Sequence, residues 1–303
     1  MGTPITGNRW LVAAGLSAAV ALGACNDSPS SVSSNGLSDV ETAELANVIV
    51  DDVEAFADAS TYDTNHGIRV DVFDLHRGDR PASLFGRLPC RPTLIPQNPP
   101  NLDGDRVPDA LLLDFSGVTC GVGDVMVTMD GTLGIEDPAI PGFGIRFIFT
   151  DLSKVVTRGD QSRSVLWNGT RQIVGSPSNP GSQLTHTITN FTTSFVFPNG
   201  NTAEHMKNWN GMFVADVAGS IQHGARFPSG TWSFDGNSTW VRNESASFNV
   251  VIQTTTPLHF NAECTVAPRF DAGVIVVQVS RNGETTTITI EHTQCGQKII
   301  TRS

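Results

Sequence analysis

The chain is short of charge and almost without tyrosine. Of its 303 residues only 16% are Asp, Glu, Lys or Arg, and Tyr62 is the single tyrosine. Cations are the scarcer sign, 19 Lys and Arg against 30 Asp and Glu, a formal net charge of −11. So acidic a chain lacks the basic field that draws nucleic acids and anionic lipid heads, and neither is an expected partner through bulk electrostatics. After the first 24 residues no apolar run approaches the ~18 residues that a spanning helix needs. One tyrosine is also too few for the aromatic girdles of a membrane barrel. Signatures of chemistry are missing as well. The seven histidines, His66, His76, His186, His205, His223, His259 and His292, make no HxxxH, HxH or HExxH pattern. No cysteine pair has zinc spacing and no GxSxG elbow occurs. A hydrolase would need a triad assembled only in space. The expectation is a protein that is not an enzyme.

What is present begins at the N-terminus. "WLVAAGLSAAVAL", Trp10 to Leu22, is uncharged and follows the lone cation Arg9. It is long enough for the apolar core of an export signal and short for a spanning helix. Leu22, Gly23 and Ala24 then precede Cys25, and the small residues at the last two places suit a peptidase cleft. This resembles a bacterial lipobox, which implies cleavage before Cys25 and acylation of its thiol. Each buried methylene contributes about 0.8 kcal/mol, so more than one chain anchors stably. "NDSPSSVSSNGLS" follows as a Ser-rich tether. Asn26 stands where enterobacterial signals of this kind use Asp for inner-membrane retention, so the outer membrane or cell surface is expected. The resulting division is 1–24 signal peptide, 25–37 tether and 38–303 a single β-rich domain. The mature chain is formally −12, since Arg9 leaves with the signal.

Four cysteines remain, in a compartment that permits disulfides: Cys90, Cys120, Cys264 and Cys295. Three connectivities are open, and the short, near-equal spans favour 90–120 and 264–295. Each would close a loop of about 30 residues, stabilising by roughly 3–4 kcal/mol on the chain-entropy model.

One helix is legible, over about 38–58. Ser38 and Glu41 make a capping box, and Leu45, Ile49, Val53 and Phe56 recur at helical spacing. Seven acidic residues, Asp52 among them, occupy much of the remainder without a Lys or Arg, predicting a solvated acidic face. Period two then takes over. Phe191, Thr193, Phe195 and Phe197 share one face, as do Ile145, Phe147 and Phe149, Ala246, Phe248, Val250 and Ile252, and Ile275, Val277 and Val279. Asp130-Gly131, Asn168-Gly169, Asn199-Gly200, Asn210-Gly211, Asp235-Gly236 and Asn282-Gly283 read as hairpin turns. About ten to thirteen strands follow. The fold class is mainly β: a large antiparallel meander, curled, barrel-like or two-layered, with one N-terminal amphipathic helix. Trp209, Trp232 and Trp240 cluster with Phe213, Phe227 and Phe234, either as core or as a stacking surface.

"NLDGDRVPD" is the best candidate for a bound ion. Asn101, Asp103, Asp105 and Asp109 take positions 1, 3, 5 and 9 of a calcium-loop frame, with the carbonyl of Val107 at 7. It resembles the loops of thrombospondin type 3 repeats. Arg106 replaces the bend glycine and Leu112 the bidentate carboxylate, and there is one copy. Calcium is therefore a weaker expectation than no cofactor.

Taken together, "DGDRVPD" running into "LLLDFSGVTC", and "TPLHFNAEC" followed by "DAGVIVVQVSRNGETTTITIEHTQCG", resemble a group of uncharacterised bacterial envelope lipoproteins. The similarity spans about 85–300. It implies a secreted, lipid-anchored, β-rich domain with two cysteine-bounded segments, and no activity. The functional expectation is a non-catalytic envelope lipoprotein, a β scaffold or binding module held on the membrane by Cys25, with a protein or glycan partner. The alternative is a carrier or sensor of an apolar or glycan ligand.

Overall fold

The computed structural model describes residues 39–58, 92–103, 107–139, 142, 144–222, 227–243 and 246–303. The signal, the tether, Cys25, Cys90, Asp105, and the Ser38 half of the capping box lie outside them. The helix α1 runs Asp39–Asp58. Thirteen strands follow: β1 Thr93–Ile95, β2 Ala110–Asp114, β3 Val118–Val122, β4 Val125–Glu136, β5 Gly144–Arg158, β6 Gln161–Gly175, β7 Gln183–Val196, β8 Thr202–Ala215, β9 Gly230–Arg242, β10 Ala246–Phe260, β11 Phe270–Arg281, β12 Glu284–Gln294 and β13 Gln297–Arg302.

All belong to one antiparallel sheet in chain order, with β3 pairing β4 beside β2. The sheet is curled and not closed. This is the expected meander, and the alternation holds in its long strands. In β5, Ile145, Phe147 and Phe149 are buried; in β11, Ile275, Val277 and Val279 are buried. In β10, Val250 and Ile252 are buried while Ser247, Asn249, Val251 and Gln253 are exposed. In β7 the pattern holds at Phe191 and Thr193 and fades towards Phe197. Because the buried parity of the long strands points to one side, a single core forms inside the curl. Ala46, Ile49, Val50 and Val53 of α1 belong to that core, so the helix lies on the concave face. Trp209, Trp232, Phe213 and Phe234 are core as well. Phe213 sits 4.5 Å from Phe227 and 5.2 Å from Trp232, ring centre to ring centre. Each large side chain buried in this way contributes about 1.5–3 kcal/mol.

The dipeptide signals divide into two kinds. Asn199-Gly200 and Asn282-Gly283 are turns, joining β7 to β8 and β11 to β12. Asp130-Gly131, Asn168-Gly169, Asn210-Gly211 and Asp235-Gly236 lie inside strands, against expectation. At the first two the pairing register slips: between Asp130 and Thr132 in β4 and between Asn168 and Thr170 in β6. Gly131 and Gly169 take positive φ there, 88° and 116°. Opposite them Asp151 and Asn190 are also left-handed, both at φ 47°. A Cβ on Gly131 would collide with the Asp151 carbonyl oxygen, and one on Gly169 with the Asn190 carbonyl oxygen. Amide side chains close the defects. The Asp151 N–H donates to Asn168 Oδ1 at 2.7 Å, and the Asn190 N–H to Asn208 Oδ1 at 2.7 Å. Such bulges bend a strand and raise its local twist. The register also slips between Phe149 and Leu152 and between Ile188 and Phe191, so four successive strand pairs, β4–β5 to β7–β8, are bent at neighbouring positions, which curls the sheet.

Cys264 and Cys295 are bonded, with a Cα–Cα distance of 5.6 Å. They tie the β10–β11 connection to the β12–β13 turn, as the short span predicts. Cys120 is also disulfide-bonded.

The bulge account separates two glycines of positive φ. Gly169→Ala combines strain with a backbone clash and is expected to lower unfolding free energy by about 2–3 kcal/mol. Gly159→Ala, at φ 56° with open space around it, is expected to cost about 1 kcal/mol. Urea unfolding of both variants tests this, and equal losses would remove the bulge row as the source of curvature.

Candidate functional site

The concave face of a curled sheet is expected to be apolar, yet charge is concentrated there. Strand parity places it. Arg171 of β6 stands in a cross-strand row with Phe147, Ile188, Trp209, Gly236 and Ile252. Lys207 of β8 stands in the next row, opposite Phe191 and Ser238. His205, one step further along β8, stands opposite Thr193 and Trp240. Arg171 is 3% exposed, Lys207 4% and His205 4%.

The counter-charge comes from the helix. Asp52 is 6% exposed, and its Oδ1 accepts a hydrogen bond from Lys207 Nζ. Its Oδ2 lies 3.8 Å from His205 Nδ1. Here the expectation of a solvated acidic face is corrected: Ala43, Asn47 and Asp51 are exposed, but Asp52 turns inward with Thr42. Helical geometry explains it, since Asp52 falls three residues after Ile49 and shares the buried side of α1. Aromatic rings line the charges. Lys207 Nζ is 5.4 Å from the centre of a Trp209 ring, the Arg171 guanidinium 6.0 Å from the Phe191 ring, and His205 stacks on Trp240 at 3.6 Å.

Two cations facing one carboxylate in a dry interior are strained electrostatically. Burial pushes the Arg171 guanidinium down to about 10, although the Asp52 charge pulls it up. Burial also lowers Lys207; the charge and hydrogen bond of Asp52 oppose this, and repulsion from Arg171 adds to it. Arg171, at about 10, is protonated near neutral pH, and Lys207 is in direct contact with Asp52. The cluster is therefore a preformed electropositive site beneath α1.

A second constellation sits at one rim, where β8 and β10 end and β11 begins. His259 Nδ1 is 2.6 Å from Asp271 Oδ1, and its Nε2 is 2.9 Å from Asp216 Oδ2. Asn261 Nδ2 donates to the other oxygen of Asp271 at 2.7 Å. Partial burial works against protonation of His259, but the hydrogen bonds and charges of Asp216 and Asp271 outweigh it and raise its pKa. Partial burial likewise works to raise Asp271, and the hydrogen bonds from His259 and Asn261 win, lowering it. An imidazolium that donates to two carboxylates pins three strands together. It leaves neither nitrogen to take a proton from a substrate.

The acidic loop lies along the same rim of the meander, beside the β4–β5 connection. The Leu102 N–H donates to Asp109 Oδ1 at 3.0 Å, and the Asp109 N–H to the Pro100 carbonyl at 2.9 Å. The Gly142 N–H reaches Asp103 Oδ2 at 3.5 Å. Val107 is fully buried. Asn101 is exposed, Asp103 and Asp109 half-buried, and Asp105 lies outside the described residues. Asp137, which the sequence did not single out, joins them from the end of β4. Desolvation raises its pKa; a hydrogen bond from the Ala139 N–H opposes this, while the charges of Asp103 and Asp109 reinforce it. Among the described residues no three acid, histidine or cysteine groups are arranged to hold a metal ion.

No protein-family model matches the chain, and no curated protein or solved structure matches it either. Sequence reasoning misses the buried cluster because Lys and Arg argue against an inward position. The signal lies in parity: Lys207 shares a face with His205, Trp209 and Phe213, and Arg171 with Trp167 and Ile173.

The rim pin has a definite pH signature. A raised His259 pKa stabilises fully below its unfolded value near 6.5, and the contribution is lost as pH rises through the folded value. A lowered Asp271 pKa stabilises above about 3.8 and is lost as pH falls through the folded value. With both partners part-exposed, wild type is expected to exceed His259→Gln by only about 1 kcal/mol near pH 5.5. That gap should narrow in urea titrations as pH rises through the raised His259 value. A gap independent of pH would show that the imidazolium is not the pinning species.

Proposed function

We propose that the protein is an exported, lipid-anchored lipoprotein of the bacterial cell envelope that works as a non-catalytic β-sheet binding module, with a protein or glycan partner. The observation that carries this reading is the docking of α1. The helix begins 14 residues after Cys25 and is built into the core of the sheet through Ile49, Val53 and Asp52. A lipid on Cys25 would thus hold the whole domain through α1. The lipobox-like "LGAC", the apolar stretch before it and the Ser-rich tether after it support the anchor. The commitment of both His259 nitrogens to carboxylates supports a binding role over a hydrolytic one. Asn26 favours the outer membrane.

A carrier of a small ligand is the second reading, and one observation favours it. The concave face holds two cations against one carboxylate among aromatic rings.

Labelling cells with radioactive palmitate tests the anchor. The wild-type chain is expected to take up label and to sediment with membranes. Cys25→Ser is expected to lose the label entirely and to keep its signal. Label retained in that variant, or a wild-type chain in the soluble fraction, would overturn the reading.

A further inference from the structure

The buried cluster has one cation more than it needs. Lys207 is matched by Asp52, with which it forms a direct ion pair. Arg171 is not matched in that way. It is 3% exposed, feels the Asp52 charge at longer range and faces the Phe191 ring at 6.0 Å. Among the described residues its guanidinium makes no hydrogen bond. A guanidinium this little exposed, with no protein acceptor for its five N–H donors, is costly to desolvate. Lysine would be the cheaper choice for a lone positive charge, whereas the planar fork of arginine suits two oxygens at once.

The neighbouring polar groups fit an acceptor of the same kind. Thr193 is 3% exposed, and its hydroxyl has no hydrogen-bond partner among the described residues. It stands on β7, the strand between the two that carry Arg171 and Lys207. Around the charges the rows are apolar: Phe147, Phe191, Ile188 and Trp209 are all buried. A bare inorganic anion gains nothing from those rings. An oxyanion carried on an apolar tail uses both features, the charge and the apolar lining.

We infer that the concave face of the sheet is a binding site for an amphiphile with a carboxylate or phosphate head, and that Arg171, seconded by Lys207, receives the head. Asp52 already occupies part of this site, so that α1 presents to the cations the same group that a ligand would bring. The ligand supplies the second negative charge that the cluster lacks. Two cations then face two anions, and the interior becomes neutral. The inference deepens the binding-module reading and is independent of the lipid on Cys25.

The experiment is titration of the purified full chain with sodium laurate below its critical micelle concentration, followed by calorimetry and thermal unfolding. Dodecanol and inorganic phosphate are the comparison ligands. Laurate is expected to bind saturably and to raise the melting temperature. Dodecanol, which has the tail without the charge, is expected to bind at least ~10-fold more weakly, the scale of a lost charge-assisted hydrogen bond. Arg171→Met is the decisive variant. It removes an unmatched buried charge, so its free form should unfold no more easily than wild type, yet its laurate affinity should fall by roughly 10–100-fold. Asp52→Asn serves as a second variant, with circular dichroism as the check on folding. Removing the competing carboxylate should raise laurate affinity. Phosphate binding as tightly as laurate, and lost in Arg171→Met, would keep the oxyanion site and overturn the tail. Equal laurate binding by wild type and Arg171→Met, or no binding at all, would overturn the site. None of these outcomes bears on palmitate labelling, so failure here and failure of the anchor are distinguishable.

Discussion

A sheet of thirteen antiparallel strands has one apolar face to hide and only one helix among the described elements to hide it with. Everything else in the structure answers that constraint. The sheet must bury its face against itself, so it curls. Curling a sheet of strands up to 15 residues long requires local defects, because a regular ladder resists sharp coiling. The defects are the bulges at Gly131, Gly169 and their left-handed partners Asp151 and Asn190. Their side-chain amide caps, Asn168 and Asn208, satisfy the backbone N–H groups that the slipped register releases. An unsatisfied N–H at each slip would cost about as much as a bulge gains. The bulges are thus part of the fold's specification.

The curl leaves a concave face lined by side chains from β5 to β12, and α1 lies against it. The helix brings four core aliphatic and alanine side chains, and it brings Asp52. Isolated, that carboxylate would be one of the most expensive groups to bury. Lys207 makes it acceptable, and at the same time makes α1 difficult to replace by any other amphipathic helix. Only a helix with an acid at that one position meets it. Buried ion pairs of this kind contribute little to stability compared with an apolar equivalent, but breaking one by removing a single partner costs about 3–5 kcal/mol. Register specificity is what the pair supplies: Asp52 fixes how α1 is rotated and how far it slides along the concave face. The surplus cation, Arg171, is then a separate matter, since it is not needed to place the helix.

Much of this is legible in the sequence, and the failures have physical causes. The helix, the meander, the strand count and the parity of Ile145, Val250 and Val277 all follow from periodicity, which is a direct consequence of backbone geometry. The Cys264–Cys295 bond follows from a short span. Four Asx-Gly dipeptides read as turns because Gly at positive φ serves a hairpin and a bulge alike. Distinguishing them needs strand length, and strands of 14 or 15 residues are far above the usual five or six. Asp52 reads as solvated because six other acids on α1 share its chemistry. What separates it is the side of the helix it falls on, three residues from Ile49. Lys207 and Arg171 are hidden for the same reason: residue type outweighs parity. For all three side chains position is the better guide.

The proposed anchor gives the Asp52–Lys207 contact a mechanical role. Thirteen residues separate Cys25 from Asp39. A flexible chain of that length has a root-mean-square span of about 20 Å and a limit near ~44 Å. A lipid on Cys25 would therefore keep the domain close to the membrane surface, and a pull on the domain would pass first into the start of α1. The helix is held to the sheet by its apolar side and, in its second half, by Asp52. A group that competes with Asp52 for Arg171 and Lys207 would loosen that hold. Binding inside the sheet and attachment to the membrane would be coupled through one carboxylate, with a sign fixed by electrostatics: an anionic occupant weakens the hold on α1, and a neutral one leaves it unchanged.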